Sequence, residues 1–414
     1  MKNVLDKISP NSLRGVCSLY GASFAMALTL SVWWTAMPFI IRNIGGTESH
    51  VGYAMATNML GYMVCLLIAG TTMGEHNPKN ATRTATAIIF ASVLLISVVV
   101  YFILSKNLTG NLALIWTIIA TGTVAGAAMS LYWPFLMSWA SEDLEGAELN
   151  RRLGAYNGTW SGAAIIGPLV GGILVETSTL YPIVFAAGVL IICFLFLNVA
   201  TDGSIHKKLF GYERAIPVNG GENGVALIRF RWIARIALFC SWSCLGVARS
   251  QFALLFTDMN YSETWFGILI TIFGICNFSV LMAAGRCAFW YFKSTLLLAV
   301  QVLLALSLVL IIYSRSLPVF VLSFVIMGCG FGFAYSSHLY YGAYGSRKRS
   351  VQMIIHEGTI SAGIIVGSGG GGYLAKNVGP YSPYWFALAL MVGGLLIQII
   401  LLLYGKLMRR AIKK

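Results

Sequence analysis

Residues 183–199 read IVFAAGVLIICFLFLNV, a run broken by one asparagine and no charge. A helix needs about 20 such residues to cross a hydrocarbon core about 30 Å thick. The run therefore belongs in a membrane. Runs of the same character recur at Ala87–Leu104, Thr295–Tyr313 and Trp385–Tyr404. Before each lie two further hydrophobic segments that carry Asn, Ser, Tyr, His or Arg. The order polar, polar, apolar, repeated four times, predicts twelve transmembrane helices. Every third one is expected to face lipid and the others a polar interior.

Composition supports this all-α, polytopic membrane fold. Of 414 residues, 58% are hydrophobic and 10% charged, with a mean hydropathy of +0.78. No water-soluble domain of this length would stay in solution with such a surface. The expected spans are 19–41, 51–73, 86–104, 112–139, 152–175, 181–199, 235–257, 263–285, 294–313, 317–343, 353–375 and 384–405. The period-two alternation of a membrane β-barrel is absent. The eight cysteines sit in or beside the spans without a CxxC pair, and no histidine lies near Cys240 and Cys244 in sequence, so they read as packing residues and no metal site is expected.

Charge orients the chain. Alternating the loops from a cytoplasmic N-terminus places most of the 28 Lys and Arg inside, leaving Arg42, Lys106, Arg315 and Lys376 outside and Arg249 within a span. The positive-inside rule then puts both termini in the cytoplasm. The net charge of +14 is scattered along membrane edges, which suits anionic lipid headgroups and argues against a nucleic-acid partner.

The chain also repeats itself. At an offset of 200, Tyr156-Asn-Gly-Thr-Trp-Ser161 aligns with His356-Glu-Gly-Thr-Ile-Ser361, and Ile165, Gly167, Gly171 and Gly172 align with Ile365, Gly367, Gly371 and Gly372. At an offset of 215, Thr47–Gly52 aligns with Ser262–Gly267 and Gly70 with Gly285. Six spans per half make the repeats parallel. The expected division is a bundle over 1–199, a cytoplasmic linker over 200–234 and a bundle over 235–414.

Six plus six helices, cytoplasmic termini and a long central loop resemble the major facilitator superfamily along essentially the whole chain. The segment from Gly162 through Gly167, Pro168, Gly171 and Gly172 is similar to that superfamily's antiporter motif in span five. Glycines so spaced also let a neighbouring helix approach closely, and Pro168 introduces a bend. Gly70, Gly74, Glu75, Lys79 and Arg83 stand where the superfamily carries a glycine, an aspartate and basic residues between spans two and three, with Glu75 one place late. The span-four arginine of many proton antiporters is missing between Leu112 and Ala140.

The resemblance implies that spans one, four, seven and ten line a central cavity. These contain Trp33, Trp34 and Thr35; Tyr132, Trp133 and Pro134; Trp242, Arg249 and Gln251; and Tyr335, His338 and Tyr341. Rings with a polar edge suit an organic solute, and equally suit packing or an interfacial belt. Arg249 lies 14 residues after Arg235 and 9 before Asp258, about 21 Å and about 13 Å along a helix. A cation at that depth costs several kcal/mol unless it meets water, a carboxylate or an anionic ligand. A substrate contact and a structural ion pair both satisfy it. Glu357 lies eight residues beyond Arg349, where the first repeat has Asn157. A carboxyl there can carry a coupling proton, with His356 and His338 as relay partners, or can pair with Arg347, Lys348 or Arg349. Asn58 and Asn277 read as interhelical glue.

The expectation is a monomeric secondary transporter in a lipid bilayer, in a bacterial plasma membrane, that exports a small organic molecule against proton entry. It needs no cofactor, and no GxxxxGK[ST] loop is present for ATP. Uptake of an organic anion and a non-transporting receptor are the alternatives. An intramembrane enzyme is not expected, because no nucleophile and base or pair of acids converge in the spans.

Overall fold

The computed structural model describes residues 13–72, 76–140, 146–200, 222–344 and 349–412. Glu75, Arg347, Lys348 and most of the expected linker lie outside these residues. The described residues contain helices and no strand. In order they are α1 Leu13–Asn43, α2 Glu48–Thr72, α3 Pro78–Ser105, α4 Leu112–Met129, α5 Trp133–Ala140, α6 Gly146–Thr177, α7 Tyr181–Val199 and α8 Glu222–Val247. There follow α9 Ala253–Asp258, α10 Glu263–Arg286, α11 Ser294–Tyr313, α12 Leu317–Ala343, α13 Arg349–Ile364, α14 Gly371–Asn377 and α15 Ser382–Ile412. A π turn, Ala248–Phe252, joins α8 to α9, and another, Ile365–Gly370, joins α13 to α14.

Among the described residues, 11 helices are long and apolar enough to cross a membrane. The remaining crossing, Arg349–Asn377, is as continuous, but His356, Glu357 and a run of glycines dilute its apolar character. Span four is α4 followed by α5, broken at Ser130–Tyr132 one residue before Trp133-Pro134. Proline lacks an N–H to continue the ladder, so a new helix starts there.

Two expected boundaries are corrected. Span three begins at Pro78 instead of residue 86, because Asn77 caps the helix by accepting from the Lys79 N–H and proline occupies the first helical position. Span seven begins at Glu222 instead of residue 235. Leu227, Phe230, Ile233 and Ala234 are buried on one face there, between arginines that had marked the stretch as polar.

The chain forms two compact units: Met1–Gly211 with Asn260–Thr271, and Tyr212–Met259 with Ile272–Lys414. Within the first, α1 packs on α6 through glycine. A Cβ on Gly167 would strike Ser31, and one on Gly171 would lie 2.8 Å from the Val32 carbonyl oxygen. Helix α2 meets α4 where Gly126 faces the Asn58 backbone, and Asn58 Nδ2 donates to the Gly122 carbonyl at 2.7 Å. The second unit uses the same device. Gly363 and Gly367 face Phe239, Trp242 and Ser243 of α8, while Gly328 and Gly332 of α12 face Phe273 and Asn277 of α10. The aligned glycines of the two halves thus do equivalent packing work.

Exposure follows the apolar rhythm incompletely. Val98, Val184, Leu195, Val302, Leu396 and Ile400 are exposed on spans three, six, nine and twelve, as lipid-facing residues should be. Span eight is also largely exposed, with 28% of its apolar window buried against 33% for span three. The lipid-facing spans still turn polar residues inward: Thr82, Thr86, Gln301 and Gln398 are buried.

Candidate functional site

A polar cluster lies within the second unit, where α8, α12 and α13 meet. His338 of α12 and His356 of α13 place their Nδ1 atoms 2.8 Å apart, with both rings buried. One hydrogen must lie between these nitrogens, so the neutral pair shares a single N–H···N bond. His356 Nε2 is buried and makes no hydrogen bond. With His356 as the Nδ1 donor, its Nε2 is a bare base. A proton arriving there leaves the shared bond intact and makes it charge-assisted.

Other groups close around the pair. The Tyr335 and His356 rings are nearly perpendicular, with centroids 4.7 Å apart. Glu357 follows His356 in α13 and is partly exposed. From α8, the Arg235 guanidinium donates to Gln352 Oε1 at 2.9 Å and lies 4.9 Å over the Trp232 ring. Gln352 is one helical turn before His356, so Arg235 and the histidine pair are neighbours. The sequence reading missed Arg235 and Gln352. Arg235 was taken as a membrane-edge charge, and the only signal for Gln352 was its spacing of four from His356.

Arg249 sits elsewhere on the same span, on the Ala248–Phe252 π turn. It is partly exposed between buried neighbours Ala248, Ser250, Gln251 and Phe252. A π turn widens the helix by one residue per turn and often marks a functional site. The residues seven and four before Arg249 and three after it, Trp242, Leu245 and Phe252, fall on one helical face but differ in burial. Phe252 is buried among Phe256, Phe320, Phe324 and Tyr384, and Leu245 is buried, whereas Trp242 is partly exposed and packs on Phe331 at 4.6 Å.

In the first unit, Trp33 and Trp34 of α1 and Trp133 of α5 are partly exposed. Thr35 is buried and bonds to the Ser31 carbonyl of its own helix at 2.9 Å. Tyr132, expected at the solute cavity, sits in a packed environment. It is fully buried, with its hydroxyl donating to the Ala22 carbonyl at 2.9 Å and 3.2 Å from Cys193 Sγ, which ties the break in span four to α1 and α7. Tyr341 is likewise buried, among Phe230, Trp290, Phe292 and Tyr340.

The span-five motif resolves into unequal parts. Gly162 faces open space, while Gly167 and Gly171 carry the approach of α1. On the opposite side, Gly172 faces the Glu263 carbonyl and Gly267 faces the Pro168 carbonyl. Thr264 N–H donates to the Glu176 carboxylate at 3.0 Å, and the Thr271 hydroxyl to the Ile165 carbonyl at 3.0 Å. These contacts hold the start of α10 in the first unit. Gly70 lies near the end of α2.

The fold and its polar membrane-embedded clusters define a polytopic helical transporter. A sequence profile described as Major Facilitator Superfamily matches residues 19–349, and the chain belongs to that family. The nucleoside transporter NupG superposes with a TM-score of 0.74 at 12% identity, covering 94% of this chain and 98% of that one. A POT family transporter in complex with 5-aminolevulinic acid gives 0.70 at 13% identity, covering 95% and 96%. A POT family transporter in complex with a thioalcohol-conjugated peptide gives 0.68 at 14%, with the same coverage. No curated protein matches the sequence.

Proposed function

We propose that this transporter couples proton movement to the passage of a small organic solute, with the His338–His356 pair and Glu357 as the proton-handling group. The single observation that carries the reading is the 2.8 Å Nδ1–Nδ1 contact beside a bare, buried His356 Nε2. A pair with one shared hydrogen takes up a further proton without losing its bond, and Glu357 gives the proton a partly exposed carboxylate to pass through. The repeat supports specialisation, since Tyr156 and Asn157 occupy the equivalent places in the first half. Two bundles, one over 1–199 and one from Glu222 onward, joined by a cytoplasmic linker over 200–221, would alternate access about a central site in a bacterial plasma membrane, the protein acting as a monomer with cytoplasmic termini. The partly exposed Trp33, Trp34, Trp133, Trp242 and Tyr335 offer rings to the solute. The similarity of span five to the antiporter motif favours export.

In proteoliposomes, Glu357→Gln and His356→Gln should keep solute exchange and lose accumulation driven by a pH gradient. Normal gradient-driven accumulation in both variants refutes the assignment.

Arg249 supports a second reading, uptake of an organic anion, because its π turn presents a guanidinium deep within a span. Arg249→Lys should then weaken anion binding at least tenfold, as the planar fork is lost, with folding retained. Equal loss of folded protein in Arg249→Lys and Arg249→Ala would instead mark a structural ion pair.

A further inference from the structure

Arg235 stands in a place the proton reading does not use. Its hydrogen bond to Gln352 is a cross-link between α8 and α13, helices otherwise brought together by Gly363 and Gly367 against Phe239 and Ser243. On α13 the acceptor Gln352 precedes His356 by one turn, and His356 bonds to His338 at 2.8 Å. The anchor of the cross-link and the proton-accepting pair are therefore one side-chain layer.

We propose that Arg235 is the positioning residue of a proton-sensitive clamp: its bond to Gln352 holds α8 to α13 while the His338–His356 pair is neutral, and protonation of the pair drives the guanidinium off Gln352. This inference rests on the pair being the proton acceptor. An imidazolium on the pair and the Arg235 guanidinium are like charges on neighbouring helices, so protonation of the pair weakens the hold of the guanidinium on Gln352. The charged and titratable groups facing the pair are limited. From α8 they are Arg235 and, one turn nearer the helix start, Arg231, which is committed to the Tyr341 and Tyr344 carbonyls at 2.8 and 2.7 Å. From α12 there is Tyr335 and from α13 Glu357. The part of α10 in the second unit, packed on α12 at Gly328 and Gly332, carries Cys276 and the exposed Arg286, while Glu263 lies at the other end of that helix, in the first unit. Helix α11 has Tyr313 as its one titratable residue, beside the opposite end of α12. Glu357 is the acid of this set.

The proton itself is the probe, so no solute is needed. The protein has five histidines, and solid-state NMR of the 15N-histidine-labelled protein in lipid reads the imidazolium fraction, with His356→Gln assigning the pair. In the wild type the imidazolium fraction of the pair should rise as the pH is lowered. Arg235→Gln, which removes the cation, should move the midpoint up by about one unit, a tenfold change in proton affinity. Arg235→Lys keeps the charge and should hold the midpoint near that of the wild type. Gln352→Leu keeps the charge but removes its anchor, and should move the midpoint up by less than Arg235→Gln, because proton binding no longer has to break the bond. An unchanged midpoint in both Arg235→Gln and Gln352→Leu overturns the clamp while leaving the pair as proton acceptor. A pair that does not titrate in the wild type overturns the proton reading, and the clamp with it.

Discussion

Alanine in place of Gly171 separates the packing role of the span-five glycines from any other. The new Cβ would lie 2.8 Å from the Val32 carbonyl oxygen and 3.2 Å from Val32 Cα and Thr35 Cβ. Relaxed contacts between carbons lie at about 3.5–4.0 Å. Helices α1 and α6 would thus have to part by roughly half an ångström along a seam where Val32 and Thr35 are buried. Overpacking of this kind costs about 1–3 kcal/mol. Removing a glycine from a helix interior returns about 0.5–1 kcal/mol. The net loss is about 1–2 kcal/mol. Gly162 lies on the same helix with nothing within 4 Å of its Cβ position, so Gly162→Ala keeps only the gain of about 0.5–1 kcal/mol. The two variants should differ by roughly 2 kcal/mol, which at about 2–4 °C per kcal/mol for a unit of this size places their thermal midpoints several degrees apart. Both proteins, purified in one detergent, are compared by scanning fluorimetry. A Gly171→Ala variant that melts with or above Gly162→Ala would refute the packing argument and return the motif to a role in transport alone.

Loss of the hydroxyl in Tyr132→Phe removes one bond between spans, worth about 0.6–1.7 kcal/mol in a membrane protein. The melting temperature should fall by a few degrees with solute affinity unchanged; a fall in affinity at constant stability would move Tyr132 back to the solute site. For orientation, single cysteines in a cysteine-free variant should react with an impermeant thiol reagent from outside at Lys106 or Lys376 and resist it at residues 200–221. External labelling of the linker would invert the proposed topology.

Much of this protein is legible in one dimension. Length and apolarity of a run decide whether it can span a bilayer, because every backbone polar group in the hydrocarbon must be satisfied within its own helix. Those properties are local, so the spans, their all-helical character and the family could be read from residues 183–199 and their recurrences. The repeat was legible for the same reason: Gly167 and Gly367 occupy the same register and meet equivalent neighbours, Ser31 and Ser243. Boundaries were read less well where capping or snorkelling arginines override hydropathy, as at Pro78 and Glu222.

Distances between helices are set by how side chains interlock, and no local pattern encodes them. His338 and His356 are 18 residues apart on different helices, and only the packing of α12 on α13 brings their rings within one hydrogen bond. Tyr132 and Trp133 are adjacent and both aromatic, yet the turn before Pro134 buries the first against α1 and leaves the second partly exposed. Arg235 read as an edge charge because charge marks a membrane boundary in sequence, whereas its role follows from Gln352, reached across the interface between α8 and α13. The sequence by itself determined that the chain crosses a bilayer as two related sets of six helices. The tertiary structure decided which of the polar residues inside them meet, since two helices in contact share neighbours that neither one's sequence names.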